Sequence, residues 1–352
     1  MLKIISVFNQ KGGVGKTTTV VNLAATLGLQ DKKVLIVDMD PQGNSTSGVG
    51  LDKTSLENTV YDLVIGNEDI KSLILNTEEN NVDIVPSNVS LSGAEVEMVN
   101  IENRESILKK SLREVDGYDY ILIDCPPSLG VLSINALTAS DTVLIPIQCE
   151  YYALEGVSQL ISTIDLVKMA LNPKLEVEGI LMCMFDGRNN LSLEVVEEVK
   201  KYFKNQVFKS VIPRNIKLAE APSHGTSILK YDDESKGAIA YKRLSLEIIE
   251  KNKVKKTTEK PEDNSEADKK NIDLKDEDSK EQSNKVESEK EIEENLEIED
   301  EITEEIKEEN SDIIEVDTLL EGEELVDVKE IDLNTKSTEE EIIKEDEEAK
   351  NI

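Results

Sequence analysis

Residues 11–18 read Lys-Gly-Gly-Val-Gly-Lys-Thr-Thr. They stand between the apolar run Ile4–Phe8 and a segment, Thr18–Leu29, in which Val20, Leu23, Ala24 and Leu27 recur at helical spacing. A strand, a glycine-rich turn and a helix in that order make an anion cradle. Gly12, Gly13 and Gly15 let the backbone turn its N–H groups inward, and the helix start adds the positive end of its dipole. The cradle is expected to span Gly12, Gly13, Val14, Gly15, Lys16, Thr17 and Thr18. Lys16 is placed to reach the β- and γ-phosphates of a nucleotide, and the Thr17 hydroxyl to ligate Mg²⁺. The usual phosphate-loop spacing needs glycine at position 10. Here that residue is Gln10, and an additional lysine, Lys11, precedes Gly12.

Outward from this loop, short apolar runs alternate with helical patterns. Expected strands are Ile4–Phe8, Val34–Asp38, Val82–Pro86, Tyr120–Asp124, Thr142–Ile147, Gly179–Met184 and Val207–Ile212. Expected helices are Thr18–Leu29, Glu155–Leu171, Leu193–Phe203 and Gly237–Glu250. Most of the strand runs are continuously apolar rather than alternating, as strands covered on both faces are. The fold class that follows is α/β: a doubly wound, mostly parallel sheet with helices on both faces, binding ligand beyond the carboxyl ends of its strands.

Two acidic motifs close expected strands. In Val37-Asp-Met-Asp-Pro-Gln-Gly-Asn44 the two carboxylates are two residues apart and share a side if the strand continues. Asp40 would then orient or deprotonate an attacking water near the γ-phosphate, and Asp38 would support the Mg²⁺ shell. In Ile121-Leu-Ile-Asp-Cys-Pro-Pro-Ser128 an apolar strand ends on Asp124, a position suited to holding Mg²⁺ through water. Pro126 and Pro127 stiffen the exit from that strand.

Together these motifs resemble the ParA/Soj partition ATPases, within the ParA/MinD class of P-loop proteins whose loop reads KGGxGK[ST]. The resemblance extends through SINAL, PIQCEYYALEGVSQL and VIPRNIKLAEAPSHG, over nearly all of residues 1–250. It implies a slow, Mg²⁺-dependent ATPase that dimerises with ATP. Lys11 would be the lysine that reaches the partner subunit's nucleotide, and Pro213, Arg214 and Asn215 would pack near adenine. The resemblance also implies non-specific binding of duplex DNA by the ATP-bound dimer, release on hydrolysis, and a ParB-like centromere-binding partner. Arg188 and Lys217 occupy matching basic positions, with Lys217 where arginine is common in the family. That exchange keeps the charge and gives up a bidentate phosphate contact.

The chain carries 74 acidic and 40 basic residues, for a net charge of −34. Residues 251–352 hold 39 of the acidic and 16 of the basic residues, and no aromatic residue, cysteine or methionine. So polar a segment buries too little apolar surface to offset its ordering entropy. The expected organisation is therefore an ATPase domain over 1–250 and a largely disordered acidic tail over 251–352. Within that tail, Ile292, Leu296, Ile302 and Ile306 fall near helical spacing. Cys125, Cys149 and Cys183 have neither disulfide nor zinc spacing and are expected to be buried thiols. His224, in Ala-Pro-Ser-His-Gly, has no second ligand nearby in sequence and is expected to be structural.

No leader pattern opens MLKIISVFNQ, and no apolar run approaches the length of a membrane span. A cytoplasmic, nucleoid-associated protein without a membrane partner is expected. A chain that starts at its first strand also leaves no room for an operator-reading helix-turn-helix. Three alternatives fare worse. A MinD-like division regulator would need a basic amphipathic C-terminus, and this one ends EEEIIKEDEEAKNI. An iron–sulfur reductase would need cysteines in glycine-rich contexts across a dimer, which Cys125 and Cys149 lack. A module that binds ATP without hydrolysis would lack a carboxylate at Asp40. A nucleotide-dependent switch that positions some other cargo remains an alternative within the same chemistry.

Overall fold

The motifs at the ends of the apolar runs come together on a single sheet in a computed structural model, which describes residues 2–150 and 153–258. The strands are β1 (Lys3–Val7), β2 (Val34–Asp38), β3 (Leu75–Asn76), β4 (Val82–Val85), β5 (Tyr120–Asp124), β6 (Thr142–Gln148), β7 (Glu176–Phe185) and β8 (Val207–Pro213). The α-helices are α1 (Lys16–Leu29), α2 (Asn44–Gly48), α3 (Val60–Val64), α4 (Leu91–Glu97), α5 (Ile107–Leu112), α6 (Val131–Ala139), α7 (Ala153–Ala170), α8 (Asn190–Phe203), α9 (Ile216–Glu220), α10 (Ile228–Tyr231) and α11 (Lys236–Thr258). Across the sheet the order is β3-β4-β2-β5-β1-β6-β7-β8. Every pairing is parallel except that of the short edge strand β3 with β4.

The continuously apolar strands feed two cores, one on each face. In β2, Val34 and Ile36 pack with α1 and α11, while Leu35 and Val37 face the opposite core. Tyr120 and Leu122 in β5 join the first core, and Ile121 and Ile123 the second. The period-2 geometry of a strand thus serves both layers at once. Helices α1 and α11 cover one face, and α3 to α8 contribute to the core on the other.

Strand order also places the ligand crevice. From β1 the chain passes through α1 to β2 on one side, whereas from β5 it passes through α6 to β6 on the other. The reversal leaves an opening at the carboxyl end of β1. The register aligns that edge, with Val7 beside Asp124 and Asp38 beside Asp124.

The doubly wound α/β architecture is the one expected. Two elements were not anticipated, for physical reasons. β3 has two residues, too few to show a period. Helix α6 buries seven of its nine residues, so it has no polar face and no amphipathic stripe. Helix α11 continues past Glu250 to Thr258. The acidic segment from residue 259 onward, with the 291–310 pattern, lies outside the described residues.

Two helical glycines predict opposite effects of a single methyl group. At Gly28, in the last turn of α1, a Cβ would stand 2.0 Å from the backbone oxygen of Asn80, whereas at Gly156, in α7, it would meet nothing within 4 Å. Gly28→Ala is expected to lower the urea-unfolding free energy by about 2 kcal/mol, an overpacking cost. Gly156→Ala should raise it by about 0.5–1 kcal/mol through helix propensity. Equal effects of the two substitutions would refute this packing argument.

Candidate nucleotide-binding site

Between β1 and α1 the loop takes a shape that only glycine adopts without strain. Gly13 and Gly15 have φ of 72° and 97°, and Gly15 is the N-cap of α1. Side chains from neighbouring segments hold this loop. The Lys11 N–H donates to Asn9 Oδ1 (2.9 Å), and Asn9 Nδ2 donates to the Pro146 carbonyl on β6 (2.8 Å). Gln148 Nε2, at the end of β6, donates to the Gly13 carbonyl (3.0 Å) and also meets Met184 Sδ (3.1 Å). Lys16 is buried, and its Nζ donates to the Lys11 carbonyl (3.1 Å). Burial pushes the Lys16 pKa down, with the charges of Asp124, Cys125 and Asp40 acting the other way. An ammonium so placed is poorly solvated and is available to an anionic group entering the loop.

Three carboxylates face this lysine from β2, from the residues after it, and from β5. Asp38 is fully buried. Its Oδ2 accepts from the Thr46 N–H (2.9 Å) and Thr46 hydroxyl (2.7 Å), and its Oδ1 from the Asp40 N–H (3.2 Å). Asp40 Oδ1 accepts from the Gln42 N–H (2.9 Å), and its backbone carbonyl from the Ser87 hydroxyl (2.8 Å). Asp124 Oδ2 accepts from the Ser45 hydroxyl (2.7 Å), while its buried Oδ1 has no hydrogen-bond partner. Burial raises the pKa of both Asp38 and Asp124. For Asp124 the Asp38 charge is the next cause, and the hydroxyls of Ser45 and Thr17 act in the opposite direction.

An orphaned carboxylate oxygen beside a second carboxylate and a half-buried threonine hydroxyl fits a hard divalent cation with oxygen donors. Among the described residues no three His, Cys, Asp or Glu side chains form a protein-only metal cage. The donor set therefore matches Mg²⁺, which takes one or two carboxylates and completes its shell with water and phosphate oxygens.

Next to the loop lies a cavity of about 350 Å³ whose lining includes Gly15, Thr18, Met184, Pro213, Arg214 and Asn215. The β7–β8 ladder sets Pro213 beside Phe185, and the Arg214 N–H donates to the Phe185 carbonyl (2.8 Å). Asn215 Oδ1 is buried without a hydrogen-bond partner. A largely apolar slot next to a phosphate cradle, with one unsatisfied acceptor, has the chemistry to take a flat base bearing an amino group.

Other residues singled out in the sequence lie farther along the same edge. Lys11 is exposed, and its Nζ pairs with Glu150 Oε2 at 2.5 Å. Arg188 follows β7 and pairs with Asp186 (3.2 Å), and Lys217, in α9 after β8, pairs with Asp232 (3.7 Å) and lies over the Tyr231 ring. Both presumed DNA contacts thus already have acidic neighbours. His224 packs its ring on Tyr231 at 5.1 Å. The three cysteines are buried free thiols. No helix among the described residues is long and apolar enough to cross a membrane. Asn9, Ser45, Thr46, Ser87, Gln148 and Glu150 were not singled out by sequence reasoning. Ser45 and Thr46 immediately follow the Asp38–Asn44 motif, which was the available signal. Asn9 and Gln148 are polar residues at the ends of apolar runs.

Comparison with known proteins adds the following. A family model described as an AAA domain matches residues 2–177. The chain is 55% identical over 249 residues to the sporulation initiation inhibitor protein Soj of Bacillus subtilis, covering 70% of this chain and 98% of that one. It is 53% identical over 250 residues to the chromosome partitioning protein ParA of Myxococcus xanthus, covering 71% and 88%. Among solved structures, a cobyrinic acid a,c-diamide synthase from Mycobacterium smegmatis, with bound ATP analogue and magnesium, superposes with a TM-score of 0.64. It is 37% identical and covers 72% of this chain and 96% of that one.

The Asp38–Asp124 pair makes a pH prediction for the nucleotide-free chain. Carboxyls raised by the fold bind more protons in the native state than in the unfolded one, so stability falls as pH rises above the ordinary carboxylate range near pH 4. Asp124→Asn removes one buried charge. It is expected to raise the thermal midpoint at pH 7.5 by a few degrees and to leave it nearly unchanged at pH 4.5. Thermal melts across that range check this, and a variant less stable than wild type at pH 7.5 contradicts it.

Proposed function

This chain belongs to the ParA/Soj family of partition ATPases, and from that membership we propose that it is an ATP-driven switch that dimerises on nucleotide, binds DNA without sequence preference and lets go on hydrolysis. The carrying observation is the convergence of Lys16, Asp40 and Asp124 on one glycine loop at the carboxyl edge of β1, β2 and β5. Family membership makes the chain an ATPase, with ATP as substrate and Mg²⁺ as its metal.

In this reading the N–H groups of residues 12–18 and the α1 dipole hold the phosphates, and Lys16 compensates their charge. Thr17, Asp38 and Asp124 form the metal's protein side. The bound ion supplies charge neutralisation between the β- and γ-phosphate oxygens. Asp40, on the chain just beyond β2, orients the attacking water and accepts its proton. Pro213, Arg214 and Asn215 hold the base in the cavity beside Gly15 and Thr18, with Asn215 Oδ1 as the acceptor for an amino group. Lys11 completes the partner subunit's site. Arg188 and Lys217 contact DNA phosphates after exchanging Asp186 and Asp232 for them. Two chains double that basic surface, so dimerisation turns binding on. A ParB-like centromere-binding protein is the expected activator, and the nucleoid the expected location. No observation favours a membrane-bound MinD-like role or another cargo over this one.

Two sets of substitutions test this reading. Asp40→Ala is expected to reduce hydrolysis at least ~100-fold, the scale of a lost general base, with nucleotide affinity retained. Lys16→Ala should instead lose nucleotide affinity, measured with a fluorescent analogue. Lys11→Ala should bind ATP and stay monomeric by light scattering. Unchanged turnover in the Asp40 variant removes that residue from the mechanism.

Arg188→Glu or Lys217→Glu should weaken binding to duplexes of unrelated sequence alike. Each should flatten the dependence of log affinity on log salt by about one unit, the mark of a lost phosphate contact. Wild-type affinity and slope in both variants would place the DNA surface elsewhere.

A further inference from the structure

The end of β6 and the residues after it hold the phosphate loop at three points of different chemical character. Pro146 accepts from Asn9 through its carbonyl, and Gln148 donates to the Gly13 carbonyl. Both are uncharged ties that fix loop shape, and breaking either strands a polar group. The third tie, Lys11 Nζ to Glu150 Oε2, joins two exposed side chains and no backbone atom. It can open without altering the glycine loop, because the Lys11 N–H remains on Asn9.

This third tie nevertheless occupies the charge on which the dimer depends. An ammonium already neutralised at 2.5 Å within its own subunit offers little to a partner's nucleotide until the pair is broken. Lys16 is engaged at the same residue, through the Lys11 carbonyl, so both lysines of the loop are committed to internal contacts.

We propose that Glu150 is a positioning residue for Lys11: it holds the lysine side chain within its own subunit, so that the strength of this ion pair sets how much ATP-loaded protein is needed to form the dimer. The inference rests on the reading of Lys11 as the residue that completes the partner's site. Magnitudes follow from exposure. The two side chains are each 55% exposed, and a pair so placed shifts an equilibrium by roughly two- to five-fold. A symmetric dimer opens two such pairs, so the effect on its dissociation constant is the square, roughly four- to twenty-five-fold. A bias of that size tunes a threshold without locking the monomer.

The test uses the full chain with Mg²⁺ and a slowly hydrolysed ATP analogue, with the dimer dissociation constant measured by sedimentation. Glu150→Gln keeps the side-chain shape and a neutral acceptor. It is expected to tighten the dimer by roughly four- to twenty-five-fold at ~50 mM salt, by less at ~0.5 M salt where exposed charges are screened, and not at all with ADP. The thermal midpoint of the variant should match wild type, since half of each side chain lies in solvent. Combined with Lys11→Ala, the Glu150 substitution should have no effect. A monomeric Lys11→Ala together with a Glu150→Gln dimer no tighter than wild type would overturn the proposal and leave the role of Lys11 standing. A Lys11→Ala variant that dimerises like wild type would remove that role, and this inference with it.

Discussion

The rest of the site depends on one electrostatic constraint: an ammonium and three carboxylates held out of water at the end of parallel strands. Lys16 and Asp40 are nearly inaccessible, and Asp38 and Asp124 are wholly so. Burial alone would neutralise such groups. The fold keeps them together because each is partly satisfied, Asp38 by Thr46, Asp124 by Ser45 and Lys16 by the Lys11 carbonyl. The satisfaction is incomplete at Asp124 Oδ1. Incomplete satisfaction is what gives a cation and a polyanion differential affinity for this arrangement, since their binding relieves a cost that the fold already carries.

The geometry of the sheet makes that concentration of charge possible. Parallel strands bring their carboxyl ends to one edge, so residues far apart in sequence become neighbours without long loops. Asp38 and Asp124 are register partners on β2 and β5, and β1 between β5 and β6 delivers the glycine loop to the same edge. The two cores on either side fix the strands, and helix α1 presents its amino terminus to the phosphates because its apolar residues must reach the sheet. Packing and ligand binding are thus met by the same helix.

Farther along the edge, charges that face solvent are paired differently. Lys11, Arg188 and Lys217 each have an acidic neighbour within 4 Å. Exposed pairs of this kind contribute little to stability. Their consequence is for binding, because any phosphate that recruits these cations must compete with a carboxylate already present. In a chain with a net charge of −34, local pairing therefore weighs more than the overall charge in deciding where a polyanion can settle.

The architecture and the phosphate loop were legible in the sequence because they follow from local chemistry. Apolar runs of four to seven residues form strands buried on both faces, and Gly-Gly-Val-Gly-Lys between a strand and a helix has few other structural meanings. Asp38, Asp40 and Asp124 could be named because each closes such a run. Other features depended on contacts between segments remote in sequence. Helix α6, buried all round, shows no amphipathic period. Ser45, Thr46 and Ser87 acquire their roles only when α2 and the residues after β4 come to rest against the end of β2. The pairing of Lys11 with Glu150, 139 positions apart, has no local signature either. Periodicity and turn chemistry are properties of neighbouring residues, so the sequence carries them directly. Which carboxylate goes unpartnered and which lysine is held are properties of the packed sheet, so only the tertiary structure decides them.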